Sequence, residues 1–138
     1  MRTVLADTSA LVALLAERDT SHAAAERTFE ALLGEGAALY TTNFLVAETY
    51  TLILRKLGSG LARHWLGDLN LPVIRVTSED ERRAAELLTT PTAPGSDDFH
   101  AYSYFDATSF AVMERLGTHD AFAFDRHFQL AGFNALGM

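Results

Sequence analysis

The chain has 138 residues, 49% hydrophobic and 21% charged, a balance that suits a globular domain and excludes a disordered chain. It contains no cysteine, which excludes disulfides, thiolate metal sites and cysteine nucleophiles and fits the cytoplasm. The net charge of −7 excludes a broad basic face, so a nucleic-acid ligand would need bound metal or local arginines as counter-charge.

Thr3–Ala6 is a short apolar run ended by Asp7. It predicts a buried strand that delivers one carboxylate to its C-terminal end, the edge at which open α/β sheets bind ligands. Asp7 also interrupts the apolar stretch after Arg2, so a signal peptide is not expected, and no later run reaches the roughly 18 apolar residues of a membrane span. A helical pattern begins at Ala10 and runs through Leu11, Leu14 and Leu15 to near Arg18 and Asp19. Ser21 is expected to cap a second helix through Leu33, broken by Gly34 and Gly36. Ala37–Thr41 reads as a second strand. Thr42 or Asn43 caps a third helix to Leu57, closed by Gly58.

A fourth helix is expected over Leu61–Leu69 and a third strand over Val73–Val76. Ser78 and Glu81 have the spacing of a capping box, and the helix behind them runs to about Leu88. Residues 89–96 form the clearest loop, continued by Asp97, Asp98, Phe99 and His100. A helix is predicted from Asp106 to Gly117, a strand over Ala121–Phe124, a short helix opened by Asp125 and ending at Gly132, and a final edge strand over Phe133–Leu136. Strands alternating with helices predict an α/β fold: a small, mostly parallel sheet flanked by helices in three layers, within a single domain spanning residues 1–138.

Four carboxylates stand out. Asp7, Asp106 and Asp125 each lie where a strand or loop turns into a helix, and taken singly each is better explained as a helix cap. Glu48 is different, because it falls in mid-helix on the same face as Leu45 and Leu52. A carboxylate on an apolar stripe is costly to desolvate without a cation or hydrogen bonds. Two bland explanations are a pairing with Arg55 two turns on, or a position at the margin of the buried face. If the four acids meet, each like-charge pair at about 5 Å costs on the order of 3 kcal/mol at an effective dielectric near 20. Several such pairs rival the stability of a whole domain, so the cluster would require a cation or raised pKa values. An oxygen-only ligand set favours Mg²⁺ or Mn²⁺, ions that serve phosphate chemistry.

Other candidates are weaker. The five histidines show no paired metal-ligand spacing, and His127, beside Arg126, is expected at the surface rather than as a ligand. Ser9 lacks the context of a hydrolase nucleophile, and glycine-rich nucleotide loops are absent. Arg82 and Arg83 read as a solvated helix face, and Asp97 and Asp98 as surface-loop acids rather than auxiliary members of a site.

In order along the chain, Val4–Leu11, the segment Thr41–Gly58 with Glu48 inside Val46–Thr49, Ser103–Phe110, and Ala123–Phe128 with Ala131–Phe133 resemble the four acidic motifs of PIN-domain ribonucleases. Four motifs in register over nearly the whole chain are fairly specific, and the length resembles the VapC-type toxins of toxin–antitoxin pairs. The resemblance implies a Mg²⁺- or Mn²⁺-dependent endoribonuclease that halts translation, forms a homodimer and is held inactive by a cognate antitoxin protein. It implies that Asp7, Glu48, Asp106 and Asp125 are the catalytic and metal-binding acids. Asp7 and Asp106 would anchor the principal ion, Glu48 and Asp125 would complete its shell or orient the attacking water, and Thr8 or Ser9 would hold the site by hydrogen bonds. One departure is Phe105, where many relatives carry a hydroxyl just before the third acid. Two alternatives remain at this point. One is another metal-dependent phosphohydrolase, although Ser9 stands where the D-x-D nucleophile motif has its second aspartate. The other is a non-catalytic PIN module for protein contacts, whose natural signature would be loss of an acid.

Overall fold

The computed structural model describes residues 1–138. Its elements run β1 (Thr3–Ala6), α1 (Thr8–Leu15), α2 (His22–Gly34), β2 (Ala38–Thr42), α3 (Asn43–Leu57), α4 (Ser59–Gly67), β3 (Val73–Ile74), α5 (Ser78–Thr89), α6 (Tyr104–Leu116), β4 (Asp120–Phe122), α7 (His127–Leu130) and β5 (Asn134–Leu136). The five strands form one sheet in the order β3-β2-β1-β4-β5, and every ladder is parallel.

β1 is central. Leu5 lies opposite Tyr40 of β2 on one side and Ala121 of β4 on the other. Val4, Leu5 and Ala6 are all fully buried, as expected for a strand covered on both faces. The period of two sends Val4 and Ala6 to one face, where they pack with Leu11 of α1, Ala25 and Leu32 of α2, and Phe122. Leu5 points to the other face, into a cluster of Tyr40, Leu45, Phe110, Met113, Ala121 and Phe128. These two cores make the three layers. Burying Phe110, Phe122 and Phe128 contributes about 2–3 kcal/mol each. A smaller cluster of Val12, Ile53 and Ala62 binds α1, α3 and α4 together.

The chain runs from β1 to β2 on one side of the sheet, and later crosses to β4 on the other. The loops leaving β1 and β4 therefore diverge, opening a crevice at the C-terminal edge of the central strands.

Several element limits differ from those expected, for local reasons. α1 begins at Thr8 rather than Ala10, because Asp7 accepts from the Ser9 backbone N–H and acts as its N-cap; it ends at Leu15, short of Arg18. Ser21 precedes α2 without a side-chain capping bond; its own N–H donates to Asp19 instead. The capping box of α5 is formed by Thr77 and Asp80, one residue earlier than Ser78 and Glu81, since Asp80 also binds Arg115. β3 stops at Ile74 because the Val76 N–H donates to Asn43 Oδ1. β4 stops at Phe122, and the Phe124 N–H donates to Ser9 Oγ. α6 starts at Tyr104 under a Ser103 cap, which puts Asp106 inside the first turn instead of at its start. The last helix is four residues long, His127–Leu130.

Candidate active site

Asp7 sits where β1 ends. Its Oδ2 accepts from the Ser9 hydroxyl at 2.6 Å and from the Ser9 N–H at 3.1 Å. The same hydroxyl accepts from the Phe124 N–H at 2.9 Å, so one serine fixes the acid and ties together the segments leaving β1 and β4. Asp7 is 4% exposed. Burial pushes its carboxyl up to about 7, against the Ser9 hydrogen bonds and with help from Asp106 and Glu48. Its capping role is real, but a cap alone does not require a buried acid facing two others.

Glu48 stands one turn after the buried Leu45. It takes part in no salt bridge, so the pairing with Arg55 does not form. Burial raises its pKa, a hydrogen bond from Thr8 opposes the rise, and Asp106 and Asp125 add to it. Thr8 is itself buried, with its Oγ1 2.8 Å from Thr49 Oγ1, which docks α1 onto the face of α3 that carries Glu48. Ser9 thus braces Asp7 directly, whereas the Thr8 hydroxyl contacts Thr49 and the Leu45 carbonyl on the helix that carries Glu48.

Asp106 is 7% exposed, and its N–H donates to Ser103 Oγ at 3.0 Å. Ser103 is thus the N-cap of α6 and fixes the backbone at Asp106. Burial raises the Asp106 pKa, the His127 hydrogen bond lowers it, and Asp125 raises it. Asp125 lies just beyond β4 and accepts from the His127 N–H at 2.9 Å.

These acids converge on one cleft of about 430 Å³, lined by Asp7, Glu48, Asp106 and Asp125 together with Thr8, Ser9, Tyr102, Ser103 and His127, and by no lysine or arginine. Asp97 and Asp98 stay outside it, exposed in the loop before α6. Arg82 and Arg83 lie on the exposed side of α5, paired with Glu79 and with Glu86 and Glu114.

His127 corrects the surface assignment. Its Nδ1 is 3.0 Å from Asp106 Oδ2 and 3.3 Å from Asp125 Oδ1. The tight turn after Asp125 folds the ring back over the cleft. A search for paired histidines at helical spacing misses it, because its partners are carboxylates from different elements. The sequence signal is Asp-x-His straddling a strand-to-helix turn. One ligand atom each from Asp106, Asp125 and His127 lie within 4.8 Å of one another. Carboxylates crowded without lysine or arginine, with one imidazole beside them, are a donor set that fits a divalent cation.

The sequence profile of the PIN domain matches residues 4–134. The chain belongs to the PIN-domain family. Among PIN-domain relatives, it is 35% identical over 133 residues to the 23S rRNA-specific endonuclease VapC20 of Mycobacterium tuberculosis, in both strain CDC 1551 / Oshkosh and strain ATCC 25618 / H37Rv. The match covers 94% of this chain and 95% of each relative. The fold is similar to the crystal structure of M. tuberculosis VapC20, described as a Sarcin-Ricin loop cleaving toxin. The TM-score is 0.78 and the identity 34%, over 94% of this chain and 95% of that one. The PIN-like arrangement of sheet and helices expected from the four motifs is therefore the fold of this protein.

Proposed function

We propose that this protein is a Mg²⁺- or Mn²⁺-dependent endoribonuclease, the toxin of a toxin–antitoxin pair that inhibits translation. One observation carries the reading: four carboxylates line a single cleft at the switch point of the sheet with no lysine or arginine among them. Such a cluster is stable in its ionised form only around a cation. When bound, that ion supplies charge neutralisation at the phosphodiester and activation of water for attack.

Asp7 and Asp106, the two most buried acids of the cleft, would anchor the ion. Glu48 and Asp125 would complete its shell or orient the attacking water. Ser9 holds Asp7 at a fixed angle and Ser103 fixes the backbone at Asp106, so little reorganisation accompanies binding. The 23S rRNA specificity of the VapC20 relatives makes 23S ribosomal RNA the first substrate to assay. A toxin of this kind would work in the cytoplasm, as a homodimer restrained by an antitoxin protein that covers the acidic cleft. No helix here is long and apolar enough to cross a membrane.

The test is cleavage of ribosomal RNA by purified protein in Mg²⁺ or Mn²⁺, with loss of cleavage in EDTA and in Asp106→Asn. Cleavage that survives both, with contaminating nuclease excluded, refutes the assignment. Turnover of a generic phosphomonoester with RNA untouched would point to a different phosphohydrolase.

A further inference from the structure

We infer that His127 is itself a metal ligand, giving one imidazole nitrogen to the cation held by Asp106 and Asp125 and biasing the site towards Mn²⁺ over Mg²⁺. The inference rests on the divalent-cation reading above and adds a residue beyond the four acids.

The first argument is geometric. His127 Nδ1 lies 3.0 Å from Asp106 Oδ2 and 3.3 Å from Asp125 Oδ1. Neighbouring ligands on an octahedral ion with bonds of about 2.1 Å stand about 3 Å apart. The nitrogen is therefore within about adjacent-corner spacing of an oxygen on each carboxylate, and one ligand atom from each of the three residues lies within 4.8 Å of the others. The ring is held there by more than these contacts. Tyr102 meets it edge-on, with centroids 5.4 Å apart and planes at 72°. Tyr102 in turn packs edge-on against the fully buried Phe110 at 5.1 Å. The His127 backbone N–H is anchored on Asp125 Oδ1 at 2.9 Å. In the metal-free chain the inward Nδ1 is held by its contacts with the two carboxylates, and the aromatic edge keeps the ring plane where a shared cation would meet it.

The second argument is chemical. Mg²⁺ and Mn²⁺ both suit carboxylate and water ligands, but Mg²⁺ demands hard oxygen donors and keeps several waters, whereas Mn²⁺, the first-row transition ion of the two, tolerates one imidazole nitrogen in such a shell better. Ligation through Nδ1 needs that nitrogen free of a proton, with the ring proton on Nε2. A set of carboxylates plus one nitrogen thus separates two ions that carboxylates alone scarcely distinguish.

Pulsed electron paramagnetic resonance of the Mn²⁺-loaded full chain tests this without relying on activity. The expected result is a nitrogen hyperfine coupling to the bound Mn²⁺. It should change from the ¹⁴N to the ¹⁵N pattern on labelling with [¹⁵N]histidine, and disappear in His127→Gln. Labelling uses the unaltered chain, so the answer does not depend on that variant folding. By calorimetry, His127→Gln should lose about tenfold or more in Mn²⁺ affinity and a smaller factor in Mg²⁺ affinity. Mn²⁺ bound without histidine-nitrogen coupling, or coupling that persists in His127→Gln, would overturn the ligand assignment and leave the acidic site standing, and equal loss for both ions would overturn the bias towards Mn²⁺. Failure of the wild-type chain to bind Mn²⁺ at all would overturn both.

Discussion

Replacing Asp7 by asparagine should make the metal-free protein more stable while abolishing its activity. The amide keeps the shape of the side chain and an oxygen able to accept both hydrogen bonds from Ser9. It removes a charge whose burial lifts the Asp7 carboxyl from 3.8 to about 7. Because the folded chain holds this proton more tightly than the unfolded chain, Asp7 makes stability fall as pH rises. The penalty is absent below about pH 4, grows between pH 4 and 7, and is complete above about 7. A shift of roughly three units corresponds to about 4 kcal/mol at its ceiling. For a chain of this size that amounts to a rise on the order of 10 °C in midpoint temperature. The assay is thermal unfolding in EDTA at a series of pH values from 4 to 8. Wild type and Asp7→Asn should coincide near pH 4 and separate progressively, with the variant the more stable at pH 8. Saturating Mn²⁺ should narrow or reverse the order, since it stabilises the wild type by about 2.7 kcal/mol at a hundred times the dissociation constant and by about 4.1 kcal/mol at a thousand times. Equal pH dependence in the two proteins, or a variant less stable than wild type at pH 8 without metal, would refute the argument that the acids strain the empty site.

The same linkage makes metal binding compete with the Asp7 proton, so apparent Mn²⁺ affinity should rise towards tenfold per pH unit below about 7 and level off above it; calorimetry from pH 5.5 to 8.5 checks this. Ser9→Ala removes the side-chain bond to Asp7 and leaves the Phe124 N–H without its acceptor, and should cost about 1–3 kcal/mol in denaturant unfolding together with most of the cleavage rate. Away from the site, Arg115 donates two 2.9 Å bonds to Asp80 across α6 and α5. Burial pushes the Asp80 carboxyl up, but these bonds and those of Thr77 outweigh it and hold the pKa below the ordinary range. The pair therefore stabilises above about pH 4, and its contribution disappears as pH falls. Arg115→Ala should lose about 1–3 kcal/mol at neutral pH, discounted because the Arg115 side chain is 38% exposed, and should unfold with less sensitivity to acid. Chemical denaturation at pH 7 and pH 3.5 distinguishes this from a loss independent of pH.

Local sequence is enough to establish the class of this molecule, because periodicity and turn residues are local properties. Thr3–Ala6 reads as a buried strand from its apolar run, and the Asn43–Leu57 helix is announced by its cap and its closing glycine. Mid-helix placement of Glu48 on an apolar face is also local information, and it is the strongest sign of a site. Where side chains from distant elements meet is settled only by the packing. Thr77 rather than Ser78 opens the box of α5, and the Asp80 that completes it is held by Arg115 of α6, 35 residues on. Arg55 is available to Glu48 along the helix, yet Glu48 lines the cleft with Asp7, Asp106 and Asp125. His127 shows the limit most clearly. In sequence it is an ordinary residue beside an arginine. Only the pairing of β1 with β4, the turn after Asp125 and the edge of Tyr102 bring its ring nitrogen between two carboxylates from different elements.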